Sequence, residues 1–190
     1  MPEVTARGPN FVYAKEFIRQ KYGESMWERL IDALPQHTAE VWKTTHLITE
    51  EYSFAAFKAL VRILSEVLGE QSDRQTAEMY TYIADRSLNS IYKVFFRFTQ
   101  PATVIKNYPK LWNRFFTEGT VNVLEATKSY AVLEFIVPEI FLDWLPPACY
   151  GFSKKAIELS GGRELQIHEM SRFKAGSNAW KVTYELQWQE

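Results

Sequence analysis

The sequence predicts an α+β fold in which an N-terminal helical part packs on a C-terminal four-stranded antiparallel sheet. Hydrophobic residues recur about every 3.6 residues as far as Phe116, whereas from Thr120 onward they alternate residue by residue. Pro147 and Gly161 mark the start and end of a further helix between the two hairpins of the sheet. With 190 residues we expect a single domain over 1–190, helical over 9–117, with the sheet and one helix over 120–188.

The helical part is predicted to begin with a helix over residues 11–21 that ends at Gly23. Ser25 and Glu28 have the spacing of a capping box, in which the two side chains satisfy backbone N–H groups of the first turn. This pattern predicts a short second helix that stops at Pro35.

A clearer amphipathic stripe over residues 53–68 predicts a helix whose C-terminal end is marked by Gly69. Ser72 and Gln75 repeat the capping-box spacing and predict a long helix that runs toward Phe98. The next predicted helix covers residues 103–116, with Pro101 near its first turn.

Four strands are predicted from alternating apolar and polar residues. They cover Thr120–Ala126, Tyr130–Val137, 164–170 and 180–188. The first two form one hairpin and the last two a second hairpin, and the helix that starts at Pro147 lies between them.

Composition excludes several classes of partner. A net charge of −1 gives no drive toward nucleic acid or anionic membrane, and no apolar run approaches the ~20 residues of a membrane span. Basic residues at helical spacing, Lys93 with Arg97 and Lys106 with Lys110, allow an anion-binding patch, but a solvated helix face is the simpler explanation. Cys149 is the single cysteine, and the first residues lack a secretory signal, so we expect a cytoplasmic protein.

Candidate catalytic and metal-binding residues are few. His37, His46 and His168 are not spaced as metal ligands, so the sequence predicts no metal site and no cofactor. Cys149 lies near a predicted helix N-terminus that would lower a thiol pKa, but free cysteines usually pack as small apolar residues. We therefore expect no enzymatic activity.

Aromatic residues make up 15% of the chain and supply the stronger functional hypothesis. An aromatic stripe at helical spacing is usually core, yet the many tyrosines favour a pocket, because buried phenols need hydrogen-bond partners that also orient ligands. The candidate ligand-binding residues are Tyr80, Tyr92, Phe96, Trp112 and Phe116, with Arg97 as a charged anchor.

Short motifs spread over most of the chain are similar to those of a known family. They are Tyr22-Gly23-Glu24 with Trp27, Leu68-Gly69, Ile91-Tyr92-Lys93 with Phe96-Arg97, Pro101, Leu111-Trp112, Phe115-Phe116, Gly119, Cys149, Gly151, Gly161-Gly162 and the closing strand at Trp188. The chain thereby resembles an uncharacterised bacterial paralogous family of the myxobacterial type, related to the 4-vinyl-reductase small-molecule-binding domain. The same broad fold group includes haem nitric-oxide-binding domains and TRAPP-type subunits.

The resemblance implies an α+β domain that senses a ligand or assembles through dimers and does not turn over a substrate. Haem members of the fold group carry a proximal histidine on the helix after the long central one, where this chain has Leu111 and Trp112. The resemblance therefore implies that haem is not held by that route. The related domain also carries cysteines near its final hairpin. The corresponding residues 168–180 of this chain contain no cysteine, so a metal or redox role at this hairpin has no support.

The leading hypothesis is a non-enzymatic, cytoplasmic ligand-binding or sensory domain that forms a homodimer. It would hold a small apolar or amphipathic molecule between the helices and the sheet. The alternative is a protein-interaction or scaffold module that self-associates without a ligand. An enzyme that uses Cys149 is a third hypothesis.

Overall fold

The computed structural model describes residues 3–97 and 99–190, and for residues 89–97 it describes the backbone but not the side chains. The N-terminal part is a succession of helices with two short strands among them. In chain order the elements are β1 (Thr5–Arg7), α1 (Gly8–Tyr22), α2 (Glu24–Ala33), α3 (Gln36–Lys43), β2 (Glu51–Ser53), α4 (Phe54–Leu68), α5 (Ser72–Arg97), α6 (Pro101–Lys106) and α7 (Tyr108–Phe115).

The C-terminal part is one antiparallel sheet with a helix between its hairpins. Its elements are β3 (Thr120–Ala126), β4 (Tyr130–Val137), a 3-10 turn (Glu139–Phe141), α8 (Leu145–Leu159), β5 (Arg163–Lys174) and β6 (Trp180–Gln189). The strands lie in the order β3-β4-β6-β5, and every neighbouring pair is antiparallel. The predicted α+β fold, with a four-stranded sheet and a helix between the two hairpins, is confirmed.

The ends of α4 agree with the sequence pattern. The Ser53 side chain accepts a hydrogen bond from the backbone N–H of Ala56, at 3.3 Å, and so satisfies one of the free donors of the first turn. Gly69 adopts the left-handed conformation, with φ of 65°, that closes the helix. Between these ends the apolar stripe faces the core, and Phe57, Leu60 and Leu64 are fully buried.

The two predicted capping boxes do not form. Gly23, with φ of 87°, lets the chain reverse early, so α2 begins at Glu24 and Ser25 already lies inside the helix. In α5 the Gln75 side chain accepts a hydrogen bond from the Tyr22 hydroxyl and donates to Glu70, and is therefore not available to cap the helix. In α5, partners outside the helix thus replace the local one that the spacing predicts.

The sheet of β1 and β2 is a feature that the sequence does not predict. Ala6 pairs with Tyr52 in this sheet and also forms a bridge with Phe116, just after α7. The hydroxyls of Thr5 and Thr117 lie 2.8 Å apart and reinforce the same contact. A strand of three residues is too short to show periodicity. The N-terminal strand nonetheless ties the segment that follows α7 to the helical part.

The hydrophobic core lies between the helices and the inner face of the sheet. Phe135 of β4 pairs with Val182 of β6, and Leu133 pairs with Tyr184, so these four side chains share the buried face. Helix α5 packs along α8, and α7 packs on β3. Among the described residues, no helix has the length and apolar character needed to cross a membrane.

Candidate binding cavity

A buried cavity of about 30 Å³ lies beside Trp112, where α5, α7 and α8 meet β4. Its walls are almost entirely apolar, and each lining residue is less than a tenth exposed. The lining residues are Tyr80, Tyr108, Leu111, Trp112, Phe115, Phe116, Phe135, Trp144, Leu145, Ala148, Cys149 and Phe152.

Two helices supply most of the wall through the same residue spacing. Prolines in the first turns of α7 and α8 favour helix starts at those points, because their missing N–H is not needed there. The stripe that follows on α7 consists of Tyr108, Leu111, Trp112 and Phe115. The stripe on α8 consists of Leu145, Ala148, Cys149 and Phe152. Residues three and four positions apart share one helix face, so each stripe presents a continuous surface to the cavity.

Trp112 is a fixed wall of the cavity. Its indole Nε1 donates a hydrogen bond to the Glu118 carbonyl at 3.0 Å. Its ring lies 4.4 Å from that of Phe116 and 5.5 Å from that of Phe135, between centroids. The indole thus joins α7 to the sheet and has its one donor satisfied within the protein.

Tyr80 reaches the cavity from α5 and is held by a buried network of hydrogen bonds. Its hydroxyl donates to Asn10 Oδ1 at 2.8 Å, and Asn10 Nδ2 donates to the carbonyls of Phe115 at 2.7 Å and Arg7 at 3.2 Å. Burial raises the pKa of Tyr80 well above its usual value, so the phenol is neutral. The network links α1, α5 and α7 at one side of the cavity.

A second, small polar cluster contains two residues of the cavity wall, Tyr108 and Cys149. The hydroxyls of Tyr108 and Ser153 are 3.1 Å apart, and the Tyr108 hydroxyl is 3.8 Å from Cys149 Sγ. Burial raises the pKa of the Cys149 thiol to about 11, although the two hydroxyls oppose the rise. The shift is opposite to the one that its position near a helix N-terminus favours, and the thiol is protonated and weakly nucleophilic.

The structure brings together only part of the predicted ligand-binding set. Tyr80, Trp112 and Phe116 line the cavity. The side chains of Tyr92, Phe96 and Arg97 lie outside the part of the chain whose side chains are described. The binding role of all six remains a prediction.

Several lining residues are absent from the predicted set. Ala148, Cys149 and Phe152 follow the helical period after Pro147, so the amphipathic pattern of that helix is the signal that identifies them. Tyr108 belongs to the stripe of α7 that contains Trp112. Trp144 lies in an irregular segment and has no periodic signal at all.

Comparison with known proteins identifies the fold. No family model matches the sequence, and no match is found among curated proteins. Solved structures do match, and H-NOX domains are among them. One is an oxygen-binding H-NOX domain related to soluble guanylate cyclases, with a TM-score of 0.72 and 9% identity over 97% of this chain and 95% of that one. The unliganded Fe(II) H-NOX protein from K. algicida has a TM-score of 0.74 and 13% identity, with 97% of each chain covered.

A third similar structure, a mutant of the T. tengcongensis H-NOX protein, has a TM-score of 0.70 and 11% identity over 97% of this chain and 98% of that one. The chain therefore has the H-NOX fold. The expected relation to the fold group of haem nitric-oxide-binding domains is confirmed, whereas the resemblance to the 4-vinyl-reductase domain remains a prediction.

The described residues do not fit a haem group. The cavity of about 30 Å³ is roughly tenfold smaller than the ~300 Å³ at which cofactor sites begin. None of His37, His46 and His168 is among its lining residues. Cys149 and Tyr108 do line it, but burial raises the pKa of both groups and keeps them protonated, whereas iron binds the thiolate or phenolate.

His46 lies apart from the cavity in a second aromatic cluster. Its ring stacks on Phe11 at 5.1 Å and meets Tyr52 edge-on at 4.6 Å, between centroids. Burial, and secondly the charge of Lys15, lower the pKa of His46 to about 4, while the nearby backbone of Val41 opposes the change only weakly. Neither ring nitrogen makes a hydrogen bond of acceptable geometry with a described group.

We expect this histidine to make folding sensitive to mild acid. At pH values below 6.5, its ordinary pKa, His46 binds a proton in the unfolded chain. In the folded chain it binds a proton only when the pH approaches 4. Its contribution should therefore lower the free energy of unfolding by about 2 kcal/mol between about pH 7.5 and about pH 5. Urea unfolding of the wild type and of His46→Phe, which keeps an aromatic ring without the charge, measures this difference.

The exposed His37 provides the matched control. His37→Gln should keep the full pH dependence of the wild type. A His46→Phe variant that loses as much stability in acid as the wild type would contradict the assignment.

Proposed function

We propose that this protein is a non-enzymatic, ligand-binding sensory domain that holds a small apolar molecule in the cavity beside Trp112. The observation that carries the proposal is a buried cavity of about 30 Å³ whose walls are almost entirely apolar. The H-NOX fold supports it, since one similar domain is described as oxygen binding.

The cavity favours an apolar occupant over water. Its volume exceeds the ~10–15 Å³ that one water requires, but an ordered water also needs two or more polar partners. The hydroxyls of Tyr80 and Tyr108 are already hydrogen-bonded to protein groups. The Trp144 N–H lacks a hydrogen-bond partner among the described groups, but one donor is fewer than the two partners that an ordered water needs. An uncharged molecule of a few heavy atoms fills the space without displacing the existing hydrogen bonds.

The chemistry of the site supports binding without turnover. Cys149, the nucleophile nearest the cavity, is held as a neutral thiol by burial, which raises its pKa to about 11. The described residues contain no cluster of three or more His, Cys, Asp or Glu side chains able to hold a metal ion. A cytoplasmic location belongs to the same proposal and is supported by the single, free cysteine.

Xenon tests the cavity directly, because it binds in dry apolar spaces through dispersion alone. We expect one saturable site by ¹²⁹Xe NMR or in a crystal under xenon pressure, with the atom beside Trp112. Ala148→Leu, which places a larger side chain in the cavity wall, should abolish this binding. Ala55→Leu adds the same atoms at an exposed position of α4 and should leave it unchanged.

Two results would refute the proposal. One is the absence of xenon from the interior of the wild type. The other is equal xenon binding by the wild type and Ala148→Leu, which would place the atom elsewhere.

A second candidate function is an interaction module that self-associates, and the sheet edges favour it. Strand β5 forms one edge, where Met170 and Phe173 are 55% and 50% exposed. Strand β3 forms the other, where Leu124 is 58% exposed. Exposed apolar residues on free strand edges are typical of surfaces that pair with another chain. Sedimentation velocity over a range of concentrations tests this function and the proposed homodimer, since a strict monomer would remove both.

A further inference from the structure

The buried cavity and a surface cleft share a single wall residue. The cleft, of about 390 Å³, lies between α4, the start of α5 and the segment that leads into α8. Its polar lining includes Lys58, Arg62, Asp73 and Asp143. Trp144 lines the cleft and is the one described residue that also lines the cavity. Trp144 therefore lies between the two spaces.

The contacts of Trp144 hold its ring by packing alone. The indole lies edge-on to Tyr80 and Phe116, each with a centroid distance of 5.0 Å, and the residue is 5% exposed. Its N–H lies near the Tyr80 hydroxyl, where it opposes the rise in the Tyr80 pKa that burial causes, but it makes no hydrogen bond of acceptable geometry with a described group. Rotation of the indole therefore breaks no hydrogen bond.

The backbone of Trp144 is held by hydrogen bonds, whereas its side chain is held by ring contacts. Its carbonyl accepts a hydrogen bond from the N–H of Ala148 at 3.2 Å and so belongs to the first turn of α8. The preceding segment is held by Lys58, whose Nζ donates to the Ile140 carbonyl at 2.8 Å. A change at this point is thus a change of side-chain rotamer, with the helix and turn in place.

We propose that Trp144 is a gate, and that its rotation joins the cleft and the cavity into one site for an amphipathic molecule with an unbranched apolar body and one carboxylate head. This inference rests on the proposed function, because the cavity is the inner half of the site. The two volumes, about 30 and 390 Å³, together with the space that the indole leaves, fall within the roughly 300–1,000 Å³ of small-molecule sites. The aromatic walls receive the apolar body.

Lys58 is the group that binds the head. It forms an ion pair with Asp143, whose side chain is 73% exposed while that of Lys58 is 24% exposed, so a carboxylate that enters from solvent can take the place of Asp143. Arg62 lies one turn further along α4, where its charge is paired with Glu66 at 2.6 Å, so Lys58 is the principal cation for the head. Asp73 on the opposite wall repels negative charge, which favours a head with a single charge over a phosphate.

Octanoate and 1-octanol separate the contribution of the head from that of the body. We expect octanoate to bind, measured by calorimetry, and Lys58→Gln to weaken it about tenfold while changing 1-octanol little. Asp143→Asn should strengthen octanoate binding, since it removes the carboxylate that competes for Lys58. Asp143 is 73% exposed, so its replacement leaves the core untouched, whereas Lys58→Gln also removes the hydrogen bond to the Ile140 carbonyl. Unchanged binding of 1-octanol by Lys58→Gln is the control for that loss.

Stopped-flow fluorescence tests the gate. Trp144→Phe, with a smaller ring between the two spaces, should increase the association rate of octanoate at least about threefold. Trp27→Phe is the matched control, because Trp27 is also 5% exposed but lines a different cleft, beside α2. It should leave the rate unchanged.

The outcomes distinguish this inference from the proposed function. Xenon in the cavity without any binding of octanoate overturns the gated site and leaves the small apolar site standing. Equal binding of octanoate by the wild type and Lys58→Gln overturns the head assignment. An unchanged association rate in a folded Trp144→Phe overturns the gate. The absence of xenon counts against the proposed function itself.

Discussion

Replacing Gly151 with alanine is expected to lower the free energy of unfolding by about 3 kcal/mol, because two helices meet at this glycine. A Cβ atom at position 151 would lie 2.0 Å from the carbonyl oxygen of Ala77 and 2.8 Å from its carbonyl carbon. These are backbone atoms of α5, so they cannot move aside as a flexible side chain would. Relief requires α5 and α8 to separate.

The sign of this effect tests the structure sharply, since helix propensity alone predicts the opposite. Alanine is favoured over glycine inside a helix by about 1 kcal/mol. The close approach is also visible in Thr81, whose hydroxyl donates to the carbonyls of both Ala77 at 2.9 Å and Gly151 at 3.2 Å. Urea unfolding followed by circular dichroism gives the difference in free energy.

Gly176→Ala serves as the control. Gly176 lies between β5 and β6, where a Cβ would meet only the Ala179 side chain at an ordinary 3.8 Å, so stability should change by less than about 1 kcal/mol. A Gly151→Ala protein as stable as the wild type would contradict the packing of α5 on α8.

Regular elements with long periodic patterns can be predicted from the sequence. The pattern predicts a helix over residues 53–68, and α4 covers Phe54–Leu68, because its stripe and its two end signals all agree. The final strand is predicted over residues 180–188 and covers Trp180–Gln189, since its alternation is strict. The pairing of β1 with β2 escapes prediction because it joins short segments that are distant in sequence and carries no local pattern.

The cavity can be predicted only in part. The stripe that contains Trp112 is visible as a helical period, so its position on the inner face of α7 is accessible from the sequence. Trp144 follows an irregular segment, and the position of its ring depends on packing against Phe54 and Phe141. The cavity, of about 30 Å³, is a small gap between packed side chains. Such a gap cannot be predicted from the sequence before the fold is known.

Trp112→Ala is expected to lower the free energy of unfolding by about 4 kcal/mol and to make the protein bind indole. The substitution removes the ring contacts with Phe116 and Phe135 and the hydrogen bond to the Glu118 carbonyl. The space left behind joins the cavity already present, and an apolar space of that size binds small aromatic molecules. Added indole should therefore raise the melting temperature. At a concentration a hundredfold above Kd, indole should increase the free energy of unfolding by up to about 3 kcal/mol.

Trp27→Ala separates filling of a cavity from a general effect of indole. Trp27 is equally buried, at 5% exposure, but lines an open cleft, so water occupies the space that its removal creates. Indole should leave the melting temperature of this variant unchanged. Rescue of Trp112→Ala alone would show that the walls of the cavity persist without the indole side chain and accept a ligand in its place. If Trp112→Ala is destabilised but indole does not restore its stability, α7 collapses onto the sheet when the side chain is removed. The cavity would then result from packing around one tryptophan and would not be a binding site.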